Sequence, residues 1–143
     1  MPHVPAAAVS SPEPSEPRAR ARPRRKWRDK FNDAFRGVKL GVRGHSSFFV
    51  HFFFAALAVA AGLVLGCGLA EWCLLLGCIG FVLVAELFNS AIETLVRVLD
   101  EPTRERCKPV LDIAAGAVLV ASGTALLIGA AVFVARFAAL LNR

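Results

Sequence analysis

The sequence has long stretches without any charged side chain, and it has no tyrosine. Between Phe48 and Ala70 the one ionisable group other than a thiol is His51, and between Ile113 and Ala135 there is none. Hydrophobic residues make up 56% of the 143 residues, and the mean hydropathy is +0.56. Such runs are too apolar for a water-soluble fold of this size, so that class of protein is excluded.

Two missing sequence motifs limit how this protein could bind a nucleotide or use its cysteines. No GxxxxGK[ST] occurs, so a nucleotide would have to be held by something other than a P-loop. The cysteines at 67, 73, 78 and 107 form no CxxC pair, and we interpret them as small apolar side chains. Cys67 and Cys73 flank a predicted turn, so a disulfide between them is left open. No signal peptide is predicted, because the basic cluster follows a proline-rich stretch.

Three apolar stretches are each long enough to cross the hydrocarbon core, which takes about 20 helical residues. They predict transmembrane helices over residues 48–70, 72–99 and 110–136. Gly62 and Gly66, four residues apart, predict close packing of the first of these helices. The predicted fold class is an all-α membrane protein, in which three transmembrane helices follow an amphipathic interfacial helix.

The segment before the first span divides into two parts. Residues 1–26 are rich in Pro, Ala, Ser, Glu and Arg and predict a disordered cytoplasmic tail. Residues 27–44 place apolar side chains at helical spacing among basic ones, which predicts a helix lying in the membrane interface. Residues 27–143 then form one membrane domain.

The basic residues are distributed unevenly. Eleven of the 17 Lys and Arg residues lie before Ser46, and four more lie between Arg97, at the end of the second predicted span, and Lys108, just before the third. By the positive-inside rule the N-terminus is cytoplasmic, although Arg136 and Arg143 after the third span are a contrary signal. Because the basic segment adjoins a predicted membrane span, anionic lipid headgroups explain it better than nucleic acid.

Four polar side chains share one face of the second predicted span. Glu86, Asn89, Ser90 and Glu93 lie in the run AELFNSAIETLVRVLD. At about 100° per residue, Glu86 and Glu93 point almost the same way, about 10 Å apart along the axis. A carboxylate at bilayer depth costs several kcal/mol, so it rarely persists without a partner or a task. Three helices alone hardly shield Glu86 from lipid, so we also expect a homo-oligomer.

The two carboxylates suit different tasks. Glu93 is predicted at the water boundary, where it suits Mg²⁺, which usually takes one or two carboxylates plus substrate phosphates. Glu86, almost two turns deeper, suits proton acceptance from a lipid hydroxyl, with Asn89 and Ser90 orienting a substrate. The set is typical of phosphoryl transfer to a lipid alcohol. Intramembrane carboxylates also serve as proton relays or pair with an arginine, and these alternatives stay open.

The segment between the second and third spans is short and charged. Residues 100–109, DEPTRERCKP, predict a polar loop, with Pro109 in the first turn of the third helix. Asp112 then lies near that helix N-terminus, where the helix dipole favours a carboxylate. This gives Asp112 a structural explanation that competes with a functional one.

The four polar side chains on one face of the second span, called the polar stripe below, belong to sequence motifs that resemble a known family. The motifs are Glu86-Leu-Phe-Asn89-Ser90-Ala91-Ile92-Glu93, then Asp112-Ile-Ala-Ala-Gly116, with Phe31-x-x-Ala34-Phe35-x-Gly37 and Phe48-x-x-His51 before them. They are similar to the signature of the prokaryotic diacylglycerol kinase and undecaprenol kinase family. The resemblance covers about residues 27–135.

The resemblance implies a small homotrimeric kinase of the bacterial inner membrane that transfers the ATP γ-phosphate to diacylglycerol or undecaprenol. It implies that Glu86 is the general base, that Glu93 binds Mg²⁺ and nucleotide, and that Asn89 is the motif amide. It also implies that Asp112 contacts the nucleotide. His51 has a simpler explanation, which we favour, as a packed or headgroup-level histidine.

The sequence departs from the family pattern on the ATP side. His45 stands where the family has a second metal carboxylate, and Phe49 stands in place of an arginine. Arg97 and Leu111 replace an expected Asp and Lys, and Lys108 is the nearest lysine for the same phosphate. Imidazole is a poor ligand for Mg²⁺, so His45 is either a lost ligand or part of a rearranged nucleotide site.

Three functions therefore compete. The first is an ATP-dependent lipid kinase, favoured by the joint presence of Glu86, Asn89, Glu93 and Asp112. The second is a catalytically weak relative that acts as a membrane-anchored binding or scaffold protein, favoured by the ATP-side changes. The third is a small proton-coupled transporter that uses Glu86 as a relay.

Overall fold

The protein consists of five helices in a computed structural model that describes residues 26–44 and 47–142. In chain order they are α1 (Trp27–Gly44), α2 (Ser47–Val64), α3 (Leu69–Arg97), α4 (Glu101–Arg106) and α5 (Lys108–Leu141). Neither range contains a strand, and α2, α3 and α5 are long and apolar enough to cross a membrane. The predicted fold class is confirmed. Residues 1–25 of the predicted tail lie outside the described residues.

α2 ends at Val64, six residues before the predicted boundary, because a glycine cap stops it. Gly66 has a φ of 64°, a left-handed conformation that favours glycine. The Cys67 N–H donates to the Gly62 carbonyl at 3.0 Å, and the Gly66 N–H donates to the Leu63 carbonyl at 3.3 Å. These two bonds form a Schellman cap. Gly66 therefore belongs to the turn and not to the packing surface that its spacing predicted.

α2 and the first part of α3 run antiparallel over equal lengths. Ser47, the first residue of α2, contacts Glu86, and near the other end Gly62 lies against Trp72. A Cβ at position 62 would stand 3.0 Å from the Trp72 ring, so glycine permits this approach. Each paired stretch has 18 residues and is about 27 Å long at the rise of an α-helix. That is close to the hydrocarbon thickness of about 30 Å.

An ion pair joins the start of α3 to the end of α5. The Arg136 Nε–H donates to both oxygens of Glu71, at 2.7 and 2.6 Å, and a second guanidinium nitrogen also donates to Oε2. The Gly68 N–H donates to the same oxygen at 2.6 Å. The two side chains are about a quarter exposed. Bidentate hydrogen bonds between an arginine and a carboxylate are stronger than neutral hydrogen bonds. Because this pair joins one residue of α3 to one residue of α5, it fixes the antiparallel register of the two helices.

Glu71→Gln is expected to lower the melting temperature of the detergent-solubilised protein by several degrees. The substitution leaves the Arg136 guanidinium, which is three-quarters buried, without its counter-charge. Thermal unfolding followed by circular dichroism measures the effect. Glu105→Gln is the matched control, because Glu105 pairs with Lys108 on an exposed surface and such pairs contribute little.

The double variant Glu71→Gln/Arg136→Gln tests the pairing itself. If the two side chains stabilise each other, the second substitution costs less in the presence of the first. Fully additive losses of melting temperature would contradict the interaction.

The predicted loop between the second and third spans contains a short helix, α4. Asp100 precedes it in an extended conformation, and Pro102 lies in its first turn, where proline is tolerated. The Arg104 guanidinium donates to the Arg97 and Leu99 carbonyls, at 3.3 Å each, and so covers the end of α3. These contacts explain why the segment is helical although its composition predicts a loop.

α1 presents its aromatic side chains to the outside. Trp27, Phe31 and Phe35 lie four residues apart and are each at least 70% exposed. α1 packs on α3 at Gly41, where a Cβ would stand 2.7 Å from Leu87 Cδ2. An exposed aromatic stripe on a basic helix is the surface expected of an interfacial helix.

The four cysteines are free thiols. The disulfide that the sequence left open between Cys67 and Cys73 is therefore not formed. Cys67, Cys78 and Cys107 are half-buried, which agrees with their interpretation as small apolar side chains, while Cys73 is exposed.

Candidate active site

The predicted polar stripe occupies one face of α3. Glu86, Asn89 and Ser90 are 2%, 9% and 1% exposed, and they are the buried polar residues of the described part of the chain. Glu93 follows one turn after Asn89 and is half-buried. Buried polar groups are costly unless they are paired, so the contacts of these four side chains decide what the site can do.

Glu86 is covered from α2. The Ser47 hydroxyl donates a hydrogen bond to Glu86 Oε1. His51 Nε2 lies 3.6 Å from the other oxygen, Oε2, which is an ion-pair distance and longer than a hydrogen bond. Phe48, between these two residues, is 2% exposed and anchors the first turn of α2. His51 is thus packed against the carboxylate, with its side chain 17% exposed, and its interpretation as a packed or headgroup-level histidine stays a prediction.

Asn89 and Glu93 form a second cluster further along α3. Asn89 Nδ2 donates to Glu93 Oε1 at 2.8 Å. Within the described residues, Asn89 Oδ1 and Ser90 Oγ are buried and have no hydrogen-bond partner. Buried polar atoms in native proteins are usually satisfied, so these two oxygens mark a place where a ligand or water can bind.

The side-chain atoms near Glu93 that could bind a metal ion are oxygens. Among residues 26–44 and 47–142, no three His, Cys, Asp or Glu side chains come together to hold a metal ion. The Glu93 carboxylate and the unpartnered Asn89 Oδ1 lie on adjacent turns of α3. Carboxylate and amide oxygens are the ligands that Mg²⁺ prefers, and it commonly completes its shell with water and substrate phosphates. The donor chemistry of this cluster therefore fits Mg²⁺.

The contact between Ser47 and Glu86 brings the carboxylate level with the first residue of α2. α2 has just enough residues to cross the hydrocarbon, so both of its ends must lie at the borders when it does so. The two turns of depth between Glu93 and Glu86 stay a prediction, because length and composition alone indicate the membrane-crossing helices. The eleven residues of α3 that follow Glu86 extend about 16 Å beyond it.

The remaining predicted site residues lie on α5 or outside the described chain. The register set by Glu71 and Arg136 brings Glu93 level with Ala114, and Asp112 follows two residues away towards α4. Asp112 is exposed, and among the described residues no hydrogen bond or ion pair joins it to the stripe. Lys108 begins α5, is exposed, and pairs with Glu105 at 3.4 Å. His45 lies outside the described residues.

The replaced family positions have ordinary surroundings. Arg97 is the last residue of α3 and is exposed, and Leu111 is half-buried on α5. The predicted alternative roles of Arg97, as surface cation or as phosphate contact, are both compatible with that exposure.

Sequence reasoning missed the two residues that touch Glu86. Ser47 and His51 are four apart, so they share one face of α2. Antiparallel packing of neighbouring helices brings the start of α2 to the later part of α3. Applied together, these two signals would have brought Ser47 and His51 to the half of α3 that carries Glu86, and the end of α2 fixes the register within it.

Comparison with known proteins agrees with the motif resemblance. The family model for prokaryotic diacylglycerol kinase matches residues 32–133, which is 102 of the 143 residues. The match includes all of α2 and α3 and therefore the whole polar stripe. No curated protein and no solved structure matches the chain.

Proposed function

Since the chain belongs to the prokaryotic diacylglycerol kinase family, a family of bacterial lipid kinases, we propose that it transfers the γ-phosphate of ATP to a membrane lipid alcohol. The acceptor is diacylglycerol or undecaprenol. One observation carries the proposal: a carboxylate that is 2% exposed accepts a hydrogen bond from an alcohol at the end of a membrane-crossing helix.

Glu86 acts as the general base. A lipid hydroxyl on Glu86 would make the same contact that the Ser47 hydroxyl makes. Proton transfer to the carboxylate leaves the lipid oxygen as the nucleophile towards the γ-phosphorus, and ADP leaves. Such transfers depend mainly on positioning and charge neutralisation. The unpartnered Ser90 Oγ lies one helical turn after Glu86 and orients the headgroup, while Asn89 Oδ1 lies between this carboxylate and Glu93.

Glu93 and Asn89 bind the Mg²⁺ and the phosphates of ATP. When bound there, Mg²⁺ neutralises charge on the transferring phosphates. Asn89 orients the Glu93 carboxylate through its amide N–H. Asp112 and Lys108 lie near the same end of the bundle, and with His45 they are the proposed further nucleotide contacts. Arg97 and Leu111 make this end chemically different from the family pattern.

The proposed orientation has the N-terminus in the cytoplasm. The positive charge of Arg136 counts against this orientation by the positive-inside rule, but Glu71 pairs with Arg136 and offsets that charge. The remaining excess of Lys and Arg then lies at the end of the bundle that carries α1 and α4. That is the side on which Glu93 would meet ATP. Anionic headgroups would bind the basic face of α1. We propose a homotrimer because the family resemblance implies one. The single chain already buries Glu86 to 2% exposure, so shielding of that carboxylate does not require a second copy, contrary to the expectation from the sequence.

Purified protein in lipid nanodiscs, given Mg²⁺ and γ-labelled ATP, tests the function. Label is expected in the lipid fraction when either diacylglycerol or undecaprenol is present, and the ratio of the two rates identifies the acceptor. Omission of Mg²⁺ is expected to abolish transfer.

Failure of transfer to both lipids would contradict the kinase. Tight nucleotide or headgroup binding without transfer would then indicate the binding or scaffold function. Proton flux in sealed liposomes without ATP would indicate the transporter.

A further inference from the structure

Both oxygens of Glu86 are already covered inside the protein. The Ser47 hydroxyl occupies Oε1 and the His51 imidazole lies beside Oε2. A carboxylate in this state has no oxygen exposed to an incoming alcohol, since the side chain is 3% exposed. One of the two covering groups must therefore move before Glu86 can accept a proton from a substrate.

Ser47 is the group that a substrate can replace. Its contact with Glu86 is an alcohol-to-carboxylate hydrogen bond, and a lipid hydroxyl would make the same bond. Exchange of one such bond for another has a small net free-energy change. The imidazole of His51 has a different shape and makes no hydrogen bond to Glu86 at 3.6 Å, so a hydroxyl does not substitute for it.

The movement required is small. Ser47 is the first residue of α2, and its hydroxyl turns away from Glu86 by rotation about a single bond, between staggered positions. The backbone stays in place because the next side chain, Phe48, is 2% exposed. The unpartnered oxygens of Asn89 and Ser90 lie on the same face of α3 as Glu86. The place vacated by the Ser47 hydroxyl thus borders groups that can bind a polar headgroup.

We propose that Ser47 is a positioning residue that occupies the acceptor position on Glu86 until a lipid hydroxyl replaces it. This inference rests on the proposed kinase function. Without Ser47, a water molecule can take the same position. Its proton would pass to Glu86 and its oxygen would bond to the γ-phosphorus, so that ADP and inorganic phosphate form without any lipid product. Ser47 therefore makes the enzyme discriminate between lipid alcohol and water.

The test compares Ser47→Ala with Ser47→Thr in nanodiscs. In Ser47→Ala, lipid-independent ATP hydrolysis is expected to rise about fivefold, the factor that corresponds to one hydrogen bond of about 1 kcal/mol. The apparent KM for the lipid is expected to fall by a similar factor with kcat unchanged, because the competing hydroxyl is gone. Ser47→Thr keeps the hydroxyl and is expected to behave as the parent.

Ser122→Ala is the matched control. Ser122 Oγ is also buried, but it lies on α5 beside an apolar cavity of about 660 Å³, and no hydrogen bond joins it to Glu86. Both activities are expected to be unchanged. If Ser47→Ala does not fold, Ser47→Cys gives the same comparison, because a thiol is a weak donor.

Four results would overturn the inference. Unchanged hydrolysis in Ser47→Ala, together with normal lipid labelling, would remove the role of Ser47 and leave the kinase function intact. Equal losses of hydrolysis and of lipid transfer would indicate a purely structural role. Label attached to Ser47 itself, detected by mass spectrometry, would show that it is an acceptor and not a competitor. Absence of lipid labelling in the parent protein would reject the kinase function and this inference together.

Discussion

Glu86→Gln is expected to lower lipid phosphorylation by at least about 100-fold, the lower end of the contribution of a positioned general base. Glutamine keeps the shape of the side chain and can accept a hydrogen bond from Ser47, but it does not take the proton of an alcohol. Transfer of label from ATP to lipid in nanodiscs measures the loss. Nucleotide binding is expected to be retained, because Glu86 lies about 10 Å along α3 from Glu93.

Two controls make the Glu86→Gln result specific. The melting temperature is expected to be unchanged or higher, since replacing a buried carboxylate by an amide removes a desolvation cost. Glu101→Gln alters an exposed carboxylate paired with Arg104 and is expected to have near-normal activity. If Glu86→Gln keeps more than a tenth of the activity with a normal melting temperature, Glu86 is not the base.

Glu93→Gln is expected to lower activity in a different way, by raising the Mg²⁺ and ATP concentrations needed for half-maximal rate. Loss of an outer partner of a metal ligand commonly costs 10- to 100-fold in affinity, so loss of the carboxylate is expected to cost at least about that much. Titration of the labelling rate with Mg²⁺ at fixed lipid concentration measures the shift.

The two glutamates are separated by how their variants respond to concentration. High Mg²⁺ and ATP are expected to restore part of the Glu93→Gln activity and none of the Glu86→Gln activity. Asn89→Ala, which removes the amide that orients Glu93 at 2.8 Å, is expected to resemble Glu93→Gln in a weaker form. Equal rescue of both glutamate variants would contradict the division of tasks between the two carboxylates.

Local sequence features predicted the helices well. The three apolar stretches are long enough that length and composition alone indicate membrane-crossing helices, and α1 has the bounds predicted from its periodicity. The end of α2 was misplaced because Gly66 was interpreted as a packing residue, whereas its positive φ makes it a cap. α4 was missed because its helix is held by Arg104 contacts to the end of α3, which local composition does not reveal.

The candidate site was predicted only in part, for a related reason. The four residues of the stripe lie on a single helix, so helical geometry was enough to group them. Ser47 and His51 belong to another helix, and their contact with Glu86 depends on the register of α2 against α3. That register follows from where the turn between the helices begins, which is set by Gly66. An error of six residues at the end of α2 was therefore enough to hide the partners of the central carboxylate.

The close approach of α1 to α3 links the membrane surface to the candidate base. Any side chain at position 41 would have to displace Leu87, and Leu87 is the residue next to Glu86. Glycine at position 41 therefore lets the interfacial helix approach the turn of α3 that carries the candidate base. The contact is apolar, so the basic helix α1 meets this turn of α3 there without any charge pairing.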